Sequence, residues 1–376
     1  MWKEGDKLLT DSKLGFGLMR LPKDENDNID IERVKIMVDN FMSSGFNYFD
    51  TAYAYKGSEA ALKEALVDRY PRNTYTVADK LPGWKIQKQE DIPRFFRESL
   101  RLCGLEYFDF YLLHSIEEKN YASIYEKYDC FTFISEMKKQ GKIKYIGFSY
   151  HDNAKLLDQI LTAHPEIDFI QLQINYLDWE NGVIQSKANY EVAMKHHKPV
   201  IVMEPVKGGT LAAFPKDVEK ILKKEHPDDS IASWAIRFVA SLDGVMTILS
   251  GMSTEEQMND NLKTMKRLKK LSYYEYRILE TVKEKISAFP SIPCTSCHYC
   301  VPGCPKKINI PELFTAYNSS NIPGETRRYT DYYKKYTKNH NTASECIRCG
   351  QCEKICPQHL QIIELLKQVS EKFDNK

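Results

Sequence analysis

Eight short apolar runs alternate with helix-period segments between Phe16 and about Thr264, and few folds accept that pattern. The runs are Phe16–Leu18, Tyr48–Asp50, Tyr75–Ala78, Phe108–Leu113, Ile143–Phe148, Phe169–Ile174, Val200–Met203 and Val245–Leu249. They are unbroken rather than alternating, as in parallel strands buried on both faces. The helix-like stretches are Ile31–Ser44, stopped by Gly45, then Gly57–Val67, Ile92–Leu102, Phe131–Gln140, Asn153–Ala163, Lys187–Lys195 and Ser230–Ser241. The pattern predicts an α/β fold, a (β/α)8 TIM barrel. An open doubly wound sheet is the rival. Against it, Leu14-Gly15-Phe16-Gly17 enters a strand and does not form a G-x-G-x-x-G turn into a helix.

A barrel of about 250 residues leaves the last part of the 376-residue chain for something else. Eight of the ten cysteines stand there, in two runs. Cys294, Cys297, Cys300 and Cys304 are spaced C-x2-C-x2-C-x3-C before Pro305. Cys346, Cys349, Cys352 and Cys356 repeat that spacing before Pro357. The pattern resembles the bacterial ferredoxin run that binds [4Fe–4S] clusters, and predicts two of them. In that pattern the fourth cysteine of each run ligates the other cluster. One cluster would take Cys294, Cys297, Cys300 and Cys356; the other would take Cys304, Cys346, Cys349 and Cys352. The rivals fit less well. Structural zinc usually shows isolated C-x2-C pairs, and disulfides need an oxidising compartment. The gap between the runs holds helix-like Ile310–Tyr317 and Tyr329–Tyr336, so the module reads as small, mostly helical and ferredoxin-like. The expected division is residues 1–270 for the barrel, 271–289 for a helical connector and 290–376 for the dicluster domain. Cys103 and Cys130 lie far from both runs and read as buried, inert thiols.

A formal net charge of +1 gives no general reason to expect nucleic acid. Lys263–Lys270 is locally basic and reads as a solvated helix face; a docking patch for an acidic redox partner is the lesser reading. Met1–Thr10 has no apolar signal core and no segment approaches a membrane span, so a cytoplasmic, membrane-free protein is expected.

In such a barrel the chemistry sits at the C-terminal strand ends. The runs end at or lead into Asp50, Asp79-Lys80, His114, Ser149, Glu204 and Ser250, and Gln171 interrupts the sixth. Acid, base and amine types converge there, which favours a site. Phe49-Asp50-Thr51-Ala52-Tyr53-Ala54-Tyr55, followed by Gly57-Ser58-Glu59, resembles the signature of the aldo/keto reductase superfamily. The resemblance runs from about Leu14 to Asn261. It includes Leu14-Gly15-Phe16-Gly17-Leu18-Met19-Arg20, Lys80, Leu112-Leu113-His114 and Gly147-Phe148-Ser149. Joined to the tandem cysteine runs, it resembles the ferredoxin-fused branch of that family.

The resemblance implies a catalytic tetrad of Asp50, Tyr55, Lys80 and His114, reducing a small-molecule aldehyde or ketone with NADP(H) or NAD(H). Tyr55 would donate the proton, Lys80 lower its pKa, Asp50 hold Lys80, and His114 orient the carbonyl oxygen. Tyr53 competes as donor, but the family offset of five residues after Asp50 selects Tyr55. Ser149 and Gln171 would hold the nicotinamide carboxamide. Ser149 is followed by Tyr150 where the family has asparagine; Asn175 is a substitute of equal standing with a core hydrogen-bonding role. Met203 replaces the usual stacking aromatic. Glu204, Val206, Lys207 and Gly208 would wrap the pyrophosphate, with Met19 beside the cofactor. Ser250, Gly251, Gln257 and Asn261 would meet the adenosine end, without the lysine and arginine that mark NADP specificity. Trp84 reads as a substrate wall.

Hydride moves two electrons and an iron–sulfur cluster moves one. One alternative therefore couples the clusters to the barrel site through a flavin, a radical-capable substrate or an electron-transfer protein, although no flavin motif is present. A second is a non-catalytic nucleotide-binding electron-transfer or sensor subunit.

Overall fold

The computed structural model describes residues 13–287, 291–321, 326–338 and 340–374. Residues 288–290, where the expected connector ends and the dicluster domain begins, lie outside them, as does Met1–Thr10. The described residues fall into two compact units, Met1–Pro205 with Ser233–Leu271, and Val206–Ala232 with Ser272–Lys376.

The first unit is a closed barrel of eight parallel strands in sequence order. The strands are β1 (Leu14–Gly17), β2 (Tyr48–Asp50), β3 (Thr76–Leu81), β4 (Phe108–Ile116), β5 (Ile143–Tyr150), β6 (Phe169–Gln173), β7 (Val200–Met203) and β8 (Val245–Ser250). The open-sheet rival is excluded because β1 pairs with both β2 and β8. Two strands extend three residues past their apolar runs. β3 carries on through Asp79 and Lys80, both fully buried, because the ladder to β4 continues to Lys80↔Leu112 and Leu81↔Leu113. β4 passes His114 and shifts register between Leu113 and Ile116, with Ser115 at φ +62°. Such a bulge re-aims side chains at a barrel rim. Tyr48, Ala78, Phe110, Leu112, Phe169, Ile201 and Leu249 form one apolar cluster among the strands. Gly147 admits the Phe169 ring into it, since a β-carbon there would lie 2.6 Å from that ring.

Helices enter with ordinary local signals. Asp30 caps Ile31–Ser43 by accepting from Arg33 N, and Gly45 at φ +86° turns the chain out. Thr254 caps Glu255–Lys266 by accepting from Gln257 N.

The described residues of the second unit contain helices and no strand. Lys216–Glu225 belongs here with Tyr273–Ser287, and His226 Nε2 lies 2.8 Å from Glu275 Oε1. Ile310–Ser320, Thr326–Thr337 and Ile362–Phe373 surround a core of Ile308, Leu313, Phe314, Tyr333, Leu366 and Val369. Cys300, Cys352 and Cys356 are members of that core, so the cysteine loops are part of its packing. No helix among the described residues is long and apolar enough to cross a membrane.

Candidate active site and cysteine pockets

Parallel register brings Asp50 at the end of β2 beside β3, where successive side chains point to opposite faces. Lys80 therefore turns inward and Asp79 outward. Lys80 Nζ donates to Asp50 Oδ1 at 2.7 Å and to the Thr51 carbonyl at 2.8 Å, and lies 3.5 Å from the Tyr55 hydroxyl. Lys80 is 0% and Asp50 3% exposed, so the pair is shielded from water and little screened. Burial pushes the Asp50 carboxyl up, and the Lys80 ammonium pulls it back. His114 meets the Tyr55 ring edge-on with centroids 6.0 Å apart, and Trp84 flanks it at 5.1 Å. Its carbonyl accepts from the Tyr125 hydroxyl. Burial, then Lys80, then His151 hold the His114 imidazole well below its usual pKa, so it is neutral at pH 7. Tyr53 is differently placed: its hydroxyl donates to Glu98 Oε2 at 3.3 Å, and burial and Glu98 push its pKa up. The structure thus gathers Asp50, Tyr55, Lys80 and His114 and leaves Tyr53 outside.

The expected cofactor residues are distributed as follows. Ser149 Oγ accepts from Ser115 N at 2.7 Å, and Gln171, paired with Ser149 across β5–β6, donates to Met203 Sδ at 3.4 Å. Gln171 Oε1 is buried without a hydrogen-bond partner, which suits an incoming amide donor. Asn175 is occupied: its amide donates to Asp178 and to the Glu204 carbonyl, and its oxygen accepts from Asp178 N. These bonds fit its core hydrogen-bonding reading. Glu204 sits at φ +55° after β7, and Lys207 and Gly208 at +49° and +61°. Asn261 Nδ2 donates to Ser250 Oγ at 2.7 Å, and Gln257 Oε1 accepts from Ser253 N, so both anchor the segment after β8. Met19 stands in the turn Leu18–Arg20 that follows β1. Its neighbour Arg20 was not singled out by sequence. Arg20 Nη2 pairs with Glu204 Oε1 at 3.1 Å, its carbonyl accepts from Ser253 Oγ, and its side chain packs near Gly251. Only ring closure, which sets β1 next to β8, brings these together.

The cysteines form two groups that cross the runs. One pocket is lined by Cys304, Cys346, Cys349 and Cys352, with Ile308, Gly350, Ile363 and Leu366. In the other group, burial pushes the Cys300 thiol up, and the thiols bearing on it are Cys297, Cys294, Cys356 and then Cys352. Burial likewise pushes Cys352 up to about 11. Four soft thiols converging on a hollow fit an iron–sulfur cluster. The two loops share one backbone design. Left-handed residues stand at Ser296, His298 and Lys307 in the first run and at Arg348, Gly350 and His359 in the second. These are the same offsets from matching cysteines, and such reversals turn N–H groups toward an anionic centre. Ser296 N already donates to Cys294 Sγ at 3.4 Å.

Sequence reading also passed over a buried acid pair. Asp79 faces the helices Ser58–Leu62 and Asp91–Cys103, where Glu59 and Cys103 stand, and all three are buried. Asp79 Oδ1 accepts from Lys80 N at 2.6 Å and Oδ2 from Cys103 Sγ at 3.6 Å. Burial, then Glu59, pushes the Asp79 carboxyl well above its usual range, and burial also raises Glu59. The folded protein then keeps a proton that the unfolded chain releases above about pH 4. Stability from this source is complete below that pH and is lost as pH rises toward the raised folded pKa values. Asp79→Asn is expected to flatten that alkaline loss, read as the urea midpoint between about pH 5 and about pH 9.

A family model described as "Aldo/keto reductase family" matches residues 13–284, and one described as "4Fe-4S dicluster domain" matches residues 293–361. An NAD(P)H-dependent 6'-deoxychalcone synthase of Glycine max is 30% identical over 242 residues, 59% of this chain and 73% of that protein. An uncharacterized oxidoreductase of Schizosaccharomyces pombe is 26% identical over 275 residues, 69% of this chain and 83% of that protein. Among solved structures, an aldo-keto reductase of Bacillus halodurans in its holo form superposes with a TM-score of 0.58 at 24% identity, covering 72% of this chain and 91% of that one. An aldo/keto reductase of Klebsiella pneumoniae in complex with NADP and acetate gives 0.57 at 17% identity, covering 73% and 90%. At such identities these two speak to the fold.

Proposed function

The chain belongs to the aldo/keto reductase family of oxidoreductases, and on that premise we propose that it reduces an aldehyde or ketone to the alcohol with NADPH or NADH, Tyr55 giving the proton. One observation carries the proposal: a single buried ammonium, Lys80, holds Asp50 and meets the Tyr55 hydroxyl. The reduced nicotinamide, when bound, supplies the hydride. A carbonyl reduced in this way becomes an alkoxide and needs a proton as it forms. A free phenol, with a pKa of about 10, is a weak acid at neutral pH. The Lys80 ammonium stabilises the phenolate left behind and so makes Tyr55 a better donor. Asp50 orients that ammonium. His114, neutral through burial, hydrogen-bonds the carbonyl oxygen and fixes its direction. Trp84 walls the substrate.

Ser149 and Gln171 would hold the carboxamide and Met203 the ring face, since a thioether packs well on an aromatic system. Glu204, Val206, Lys207 and Gly208 would take the pyrophosphate. Ser250, Gly251, Gln257, Asn261 and Met19 would frame the rest. The NAD(P)H dependence in the soybean relative's name supports this choice. The test is isotopic. Cofactor deuterated at the transferable position should leave deuterium on the carbinol carbon of the product; aldehydes recovered unreduced would overturn the reading.

We assign two [4Fe–4S] clusters to the second unit and keep the division 1–270, 271–289 and 290–376 for the whole chain. Cross-ligation makes an iron-count prediction. Cys304→Ser should remove about four irons per chain, and adding Cys346→Ser should remove no more. Adding Cys294→Ser to Cys304→Ser should remove about eight. In-run ligation would give the opposite pairing. A second reading, electron exchange with a protein partner, is favoured by one feature. The pocket that Cys349 lines carries Ile347, which is 55% exposed, and Cys349 is itself exposed. Reduction of the clusters by an added reduced one-electron carrier protein, followed by EPR, would support that reading; clusters that stay oxidised would exclude it.

A further inference from the structure

Gly208 lies in the turn Lys207–Gly209, three residues beyond Pro205, at φ +61°. A β-carbon on it would fall 2.2 Å from the Thr295 carbonyl oxygen and 2.6 Å from the carbonyl carbon. Both obstructing atoms are backbone and cannot swing aside. Thr295 stands between Cys294 and Ser296 and is 2% exposed. The turn and the cysteine loop belong to the same compact unit. Each carries a few short-range hydrogen bonds of its own. Gly209 N and Leu211 N both donate to the Val206 carbonyl at 3.1 Å, Thr210 N donates to the Lys207 carbonyl, and Leu211 is fully buried. On the other side Cys294 N donates to the Ile292 carbonyl at 2.8 Å, and Ser296 N to Cys294 Sγ. Lys207 is 4% exposed and held left-handed at +49°, a conformation that persists in a lysine only where surroundings enforce it. Backbone packed this closely on backbone transmits displacement.

We propose that Thr295 is the positioning residue for this turn, so that assembly of the Cys294, Cys297, Cys300 and Cys356 cluster is linked to binding of the dinucleotide's phosphates at Val206–Gly208. The inference rests on the cofactor and cluster reading above. When the four thiolates are tied to one centre, the Cys294–Cys297 loop is fixed and its Thr295 carbonyl backs Gly208. When they are not, that loop relaxes, the turn loses its support, and the dinucleotide must order the turn as it binds. Linkage is reciprocal: the factor by which the cluster tightens dinucleotide binding is the factor by which the dinucleotide stabilises the cluster.

The experiment uses the full chain and reads binding, not turnover. Kd for NADPH is measured by fluorescence on reconstituted protein, on the same protein stripped of iron by a chelator, and on Cys297→Ser. Stripping and Cys297→Ser are each expected to weaken binding by about fivefold or more. In parallel, iron release to a chelator from the reconstituted protein is timed with and without saturating NADPH, and should slow by a similar factor. Because stripped protein can lose its fold, Gly208→Ala is tested with clusters loaded. Its β-carbon must push Thr295 away, so it should both weaken NADPH binding and hasten iron release. Equal Kd values for loaded and stripped protein, or iron release indifferent to NADPH, would overturn the linkage while leaving the reductase reading intact. Failure of the loaded protein to bind NADPH at all would overturn both.

Discussion

Tyr55→Phe should lose carbonyl reduction by about 10²–10⁴ in kcat while folding as well as the parent protein. That loss corresponds to about 3–5 kcal/mol of barrier. The exchange removes one oxygen from a half-buried ring that keeps its edge contact with His114. Binding should suffer little, so KM should change far less than kcat, the mark of an interaction made in the transition state. Tyr53→Phe is the control. Its hydroxyl belongs to Glu98, not to Lys80, and its loss should leave kcat within a few-fold. Full activity in Tyr55→Phe, or a collapse in Tyr53→Phe, would reverse the assignment.

Lys80→Met is expected to be damaging twice over, and the two injuries can be separated. Removing the ammonium leaves Asp50 buried and unpaired, at a cost of about 3–5 kcal/mol of stability. It also removes the charge that favours tyrosinate, so kcat should fall to the level of Tyr55→Phe. Adding Asp50→Asn to Lys80→Met takes away the orphaned charge. The double variant should recover most of the urea midpoint, because neutral replacement of a buried ion pair costs little. It should recover none of the activity. Recovery of both would mean that Lys80 serves only the fold; recovery of neither would mean that Asp50 and Lys80 are not the coupled pair their 2.7 Å contact suggests.

Much of this was readable beforehand, and the readable part has a common cause. Apolar run lengths report burial on both faces of a strand, and eight such runs closed into the barrel they imply. The strand ends with charged or polar residues could be picked out because a parallel barrel puts all C-terminal ends on one face. The apolar runs of β3 and β4 stop three residues short of the strands' C-terminal ends, and those of β5 and β8 stop two and one short. Asp79, Lys80, His114 and Ser115 look like strand terminators, yet each is held in the ladder or its bulge by neighbours the local pattern does not contain. The Asp79–Glu59 pair escaped notice for the same reason. Two acids twenty residues apart signal nothing until a strand and two helices pack.

Spacing determined the rest of what sequence alone could decide: the five-residue step from Asp50 to Tyr55, and the cysteine runs with their terminal prolines. These are local properties, fixed by how far a chain can turn in a few residues. Tertiary structure decided which partners those residues meet. It put Tyr55 beside Lys80 and Tyr53 beside Glu98. It set Asn175 against Asp178 and Asn261 against Ser250. It drew Cys304 into the pocket of the second run, and it laid Gly208 against Thr295. Each of these choices joins segments distant in sequence. Ring closure, strand register and helix packing bring such segments together, and short-range chemistry contains no information about which distant group will arrive.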